Sequence, residues 1–457
     1  MFSPKFRLAA LSLSVAVLFV LAASVTALAD SHVRIVRLSY IEGGVEVSHG
    51  GAQAYQKAMV NLPIAEGMKL KTSDDGRAEV EFEDGSTIHV VPGSEIAFPQ
   101  LVLRDSGAKA SAIEVTKGTA YVNFLGTKND EFSVQFGGEK VALTNAAHLR
   151  IDMGPKSSIA LFKGLVNVQT PAGQVELKKN QTLTFEASAD AQPKLAKNIS
   201  QEPFDDWDDQ QNEYHTRYAM KSSQSYSPYA YGTSDLSYYG NFFNYPGYGM
   251  MWQPFFIGAG WDPFMDGAWM SYPGWGYGWV SAYPWGWTPY HYGSWVFLPG
   301  HGWAWQPTGT WTSWYSQPQV LNAPKGFNVP RAPLTGTNTL IVSHGTASTF
   351  VGDRLIVRNN SAGLGVPRGE LDNMAKLSRK TEQHGMVRET VYQRPAMMNS
   401  PEGRMGANYP RGGSSPPGRS ESSSRASEPR SEPMHSEPMG GGVGGGMHSA
   451  GGAAPHK

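Results

Sequence analysis

The sequence predicts a mainly β protein: an all-β domain, then stacked short aromatic β-hairpins, then a disordered C-terminal tail. Three observations predict it. In the first part of the chain apolar residues alternate with polar ones at period two, and helical spacing is nearly absent. Further on, a segment rich in Trp, Tyr and Gly recurs at a fixed interval. Gly and Pro number 52 and 31, whereas charged residues make up 17% of the chain. That is the composition of turns and short strands rather than of a helical enzyme.

Residues 1–29 read as a signal peptide. Lys5 and Arg7 precede an uncharged run from Leu8 to Ala29, and Ala27 and Ala29 before Asp30 fit a signal-peptidase site. A retained anchor is the alternative, since about 20 apolar residues span a bilayer. Either way the chain is expected to be exported, to the periplasm or the cell surface and beyond. Membrane contact is expected only through this segment, if it stays uncleaved. The 457 residues include no Cys, 38 Lys plus Arg and 39 Asp plus Glu. The fold must therefore rest on its own core, thiol chemistry is excluded, and no global field attracts nucleic acid.

The all-β domain is assigned to 30–190. In "RAEVEFEDGSTIHV", Ala78, Val80 and Phe82 alternate with Glu79, Glu81 and Glu83 before an Asp84-Gly85 turn leads back through Ile88 and Val90. "FSVQFGGEKVAL" repeats the pattern with Gly137-Gly138 at its turn, and "SSIALFKGLVNVQTPAGQVELKKNQTLTF" adds three further strands. The three glutamates read as a solvated face whose like charges discourage edge pairing.

The order "GGVEVSHGG", "LPIAEGMKLKTSDDGRAEVEFEDGSTIHVVPGSEI", "EVTKGTAYVNF" and "SSIALFKGLVNVQTPAGQVELKKNQ" resembles the FecR domain, the periplasmic part of ferric-citrate-type regulators. The resemblance implies a sandwich or solenoid-like β fold, an exported location and no catalytic residues. Such regulators carry a cytoplasmic anti-sigma segment ahead of one membrane span. Here only seven residues precede the apolar run.

Residues 191–232 form a linker with helix-forming composition. Asp205, Asp206, Asp208 and Asp209 with His215 suggest a metal cluster, but the Gly-bearing turn and terminal Glu of a calcium loop are missing. A solvated connecting helix and loop is the expectation, with no metal.

Residues 233–315 hold the repeat. "YGNFFNYPGYGMMWQP", "DGAWMSYPGWGYGWVSAYP" and "PYHYGSWVFLPGHGWAWQP" align Gly240, Gly267 and Gly293, then Gly247, Gly274 and Gly300, then Trp252, Trp279 and Trp305. Each copy reads as a short strand, a Pro-Gly turn with positive φ at Gly, and a second short strand. A lone hairpin is marginal in water, so stacked neighbours should bury the rings. The number of rings exceeds what one layer can hide. Trp252, Trp269, Trp279, Trp295, Trp303, Trp305, Tyr272 and Tyr292 are therefore the candidate binding surface for an envelope or extracellular protein or polysaccharide. From Ser222 to Pro324 there is no Lys or Arg, which excludes a single-strand nucleic-acid platform. His291 and His301 are expected on a wet hairpin face, with Asp262 and Asp266 the nearest carboxylates in sequence.

Residues 316–385 suggest a small, partly ordered region of two or three strands and a helix, and 386–457 a disordered Gly/Ser/Pro-rich tail. No G-x-S-x-G, H-E-x-x-H or phosphate-cradling loop occurs. The expectation is an exported, non-catalytic interaction protein without cofactor. The alternatives are a membrane-anchored periplasmic FecR-like sensor in signal transduction and a purely structural envelope component.

Overall fold

From Val36 to Ala196 the chain lays 17 strands in two layers that share the long strand Lys109–Phe124. The computed structural model describes residues 34–49, 54–170, 173–186, 192–220, 226–272, 276–311, 319–333, 339–343, 347–370 and 390–393. The proposed signal peptide, nearly all of the proposed tail and the helix expected after residue 370 lie outside them.

The chain winds between the layers, usually two strands at a time, as a sandwich with solenoid-like order. The first half of Lys109–Phe124 pairs with Glu95–Leu103 in one layer, and its second half pairs with Thr87–Val90 and Ala147–Met153 in the other. Gly118 makes the crossing. Its φ is +73°, and a Cβ there would lie 2.6 Å from the Ser94 backbone. The Asp84-Gly85 turn is present, with Ala78 opposite Val90 and Val80 opposite Ile88. So is the Gly137-Gly138 turn, with both φ values positive as a two-residue hairpin requires. The stretch from Ser157 to Thr184 holds four strands, one more than expected. Period-two alternation aims Leu38, Val80, Ile88, Val122, Leu149 and Ile159 inward, where they are fully buried.

Helix α1, Asp205–Tyr218, and helix α2, Thr233–Tyr239, lead into the aromatic region, where Thr288–His291 forms a one-turn helix α3. Three antiparallel hairpins follow the expected repeat: Gly240–Tyr245 with Gly249–Pro254, Gly267–Tyr272 with Gly276–Ser281, and Ser294–Leu298 with Gly302–Gln306. Gly247 and Gly300 share one backbone setting, at φ +84° and +76°. Gly274 lies outside the described residues. The paired Gly and Trp explain one another. A Cβ on Gly240, Gly267 or Gly293 would lie within 2.5 Å of the indole of Trp252, Trp279 or Trp305.

The copies do not join in chain order. The first and third join edge to edge through Trp252 opposite Trp305, in a five-stranded sheet with Gln319–Leu321. The second stands apart and pairs with Thr339–Val342. Its alternation explains the separation. Ala268, Met270, Tyr272 and Val280 complete the core of the β sandwich, while Trp269 and Trp279 face the aromatic core. One hairpin thus belongs to two cores.

Other expectations are also corrected. His291 is buried against Trp287 and Trp311, whereas His301 is exposed as expected. Thr390–Gln393, within the proposed tail, forms a strand against Arg354–Val357. Among the described residues no helix is long and apolar enough to cross a membrane.

Candidate functional site

The outer face of the layer holding Arg77–Glu81 is covered by the chain itself. Glu79, Glu81 and Glu83 are 0%, 1% and 6% exposed, so the expected solvated face is a buried one. Strand register sets Glu79 beside His89, His89 beside Tyr121, and Tyr121 beside Arg150, a polar row across four strands.

Helix α1 lies on that row and is not a solvated connector. Asp205, Asp208, Asn212 and His215 recur at three- and four-residue steps, so they share one face. Asp205 accepts from the Tyr121 hydroxyl at 2.8 Å and from Arg150 at 2.6 Å. Asp208 lies 2.6 Å from His89 Nδ1 through one oxygen and 2.6 Å from His148 Nε2 through the other. His215 Nε2 is 2.9 Å from Glu79 Oε1. Trp207 is buried beside this row, its ring edge-on to His89 and under the Arg77 guanidinium.

His89 Nε2 also lies 3.1 Å from Glu79 Oε2, so both ring nitrogens face carboxylates, and carboxylates only accept. Burial opposes a charged ring here. The hydrogen bonds to Asp208 and Glu79 outweigh it and push His89 up to about 9. Burial also works against the Glu79 charge, but Arg368 and His215 hold that carboxyl well below its ordinary range. Asp208 is lowered in the same way, its burial outweighed by His148 and His89. At Glu81 burial prevails over His215 and Arg37, and the carboxyl is raised.

A second set of contacts brings in the aromatic region. Arg37, fully buried, donates to Glu81 at 3.0 Å and to the Pro284 carbonyl at 2.6 Å, and pairs with Asp235 of α2 at 2.6 Å. Asn61 donates to the carbonyls of Ser281 and Tyr283. Arg368, 289 positions along the chain from Glu79, reaches Glu79 at 2.8 Å and Asp235 at 3.2 Å.

His148, Asp208 and Asp209 bring ligand-type atoms within 4.8 Å of one another. His148 Nε2 and both Asp208 oxygens are already engaged in the ion pairs above, so this trio is the rim of the network rather than a coordination shell. Asp206 meets Gln201 at the surface. A cavity of about 10 Å³ beside Arg34 and Glu83 has room for a single water molecule.

The aromatic candidates lie elsewhere and mostly inside. Trp252, Trp269, Trp279, Trp295, Trp303, Trp305 and Tyr272 are each at most 4% exposed. Tyr292 is half-buried. Tyr272 stacks on His49 and donates to the Pro63 carbonyl, and Trp252 and Trp305 donate to the carbonyls of Leu236 and Tyr292. These rings are core, packed mainly edge to face. Sequence reasoning gave the alternation at Glu79 and the acids of α1, but missed that the two meet.

Residues 68–167 match the family described as FecR protein, and residues 233–327 match DUF6600, a family of unknown function. Glu79, Glu81, His89, His148 and Arg150 fall in the first segment, Asp235 in the second, α1 between them and Arg368 beyond both. Two solved structures of a protein from Parabacteroides distasonis ATCC 8503, provisionally described as an anti-sigma factor, are similar at 16% and 14% identity. The matches cover 30% and 33% of this chain and 63% and 65% of theirs, just under two thirds. TM-scores of 0.27 and 0.26 make these overlays too loose to build on. No curated protein matches the chain.

Proposed function

We propose that the protein is a non-catalytic regulatory protein of the cell envelope, a FecR-like sensor whose output passes to a protein partner. One observation carries this reading. The FecR-matching segment presents a charged sheet face through Glu79, His89, His148 and Arg150, and this face binds α1 and Arg368 of the same chain, which supports a role in protein recognition. The acids and imidazoles that could run chemistry are paired with one another, which suits a protein that works by association. Glycan binding through the candidate rings is less well supported, because seven of the eight are buried.

The test is deletion of the gene in its host, with transcript profiling before and after complementation. A restricted set of transcripts should change several-fold and return on complementation. Unchanged transcripts, with a loss of surface polysaccharide retention instead, would replace this reading by the glycan-binding one.

A further inference from the structure

Arg368 sits in a stretch without helix or strand, yet its side chain is only 5% exposed. A guanidinium has five N–H donors in a fixed plane. Here five contacts match them. Nε and Nη2 meet the two oxygens of Asp235 at 3.2 Å each, Nη1 meets Glu79 Oε1 at 2.8 Å and Gln211 Oε1 at 3.3 Å, and Nη2 also meets the Ser39 carbonyl at 3.3 Å. The rings of Tyr214 and Tyr40 lie 4.7 and 5.6 Å from its central carbon. These groups come from the β sandwich, α1 and α2, so one side chain ties three elements together.

The surrounding groups are held without it. Glu79 has His89 and His215, and Asp235 has Arg37 and the Tyr214 hydroxyl. A site oriented by its own neighbours is preorganised for its ligand. We propose that Glu79, Asp235, Gln211, Tyr40 and Tyr214 form a guanidinium-binding site at the junction of the modules. Arg368 is its built-in occupant, and an arginine side chain of a partner protein is the class of ligand that exchanges with it. Exchange would free the strap around residues 347–370 while the incoming guanidinium keeps α1 in place, whether or not the output is transcriptional.

The test uses the full chain carrying Arg368→Ala, read by hydrogen exchange of the α1 amides at neutral pH. Exchange across Asp205–Tyr218 should rise at least tenfold while the strand Lys109–Phe124 keeps its protection. Methylguanidinium should restore the helix, and methylammonium at equal ionic strength should not, because a point charge cannot match the planar fork. Two results would overturn the proposal: unchanged α1 protection, or equal rescue by both cations. Should Arg368→Ala fail to fold, Arg368→Lys serves instead. Faster exchange in its α1 supports the site, and wild-type protection rejects it.

Discussion

His89 lies between Glu79 and Asp208, and that position makes its proton a stability term. Its folded value of about 9 exceeds the ordinary 6.5, so the contribution is fully present below pH 6.5 and lost as pH rises through 9. The shift corresponds to on the order of 3 kcal/mol at most. Urea unfolding at pH 6, 7.5 and 9 should show the wild type losing stability faster than His89→Gln; parallel slopes would refute this. Glu79 is lowered, so the support it gives is present above its ordinary value and lost only on strong acidification. Removing one partner of a buried ion pair costs about 3–5 kcal/mol, because the other charge stays buried. Glu79→Ala, which takes one of two carboxylate partners from both Arg368 and His89, should lower stability by up to that order, measured by urea unfolding at pH 7. These pairings were illegible in the sequence for a plain reason. Arg34 and Glu83 are 49 positions apart, His89 and Asp208 are 119 apart, and Glu79 and Arg368 are 289 apart. Alternation places Glu79 on the outer face but does not say what covers that face.

Local elements were legible where local chemistry decides them. Asp84-Gly85 and Gly137-Gly138 make hairpins because positive φ is cheap at Gly, and the glycines of the aromatic copies turn for the same reason. The Gly–Trp pairing within each copy also follows from register. Gly240→Ala, whose Cβ would lie 2.3 Å from the Trp252 ring, should cost about 1–3 kcal/mol. Gly247→Ala, with open space around it and φ +84°, should cost roughly 1 kcal/mol from backbone strain alone. Thermal melts of the two variants check the order, and an equal or reversed cost would mean that the indole can move aside. Stacking order was not legible, because the second hairpin is placed by the apolar face it offers the sandwich through Met270 and Tyr272. The acids of α1 looked solvated for a related reason: a helix with Asp205 and Asp208 on its inner face is stable only over a sheet bearing Arg150, His89 and His148.

At the scale of the molecule, the β sandwich and the aromatic region share a core hairpin and a buried charge network. Neither should come apart while the other stays folded. Twelve of the 13 Trp lie between Trp252 and Trp314, so indole emission follows the aromatic region, while hydrogen exchange along Lys109–Phe124 follows the sandwich. Increasing urea should remove both signals in one transition with a common midpoint, as for a single cooperative unit. Two separated transitions, with the strand still protected after the emission has changed, would contradict the account.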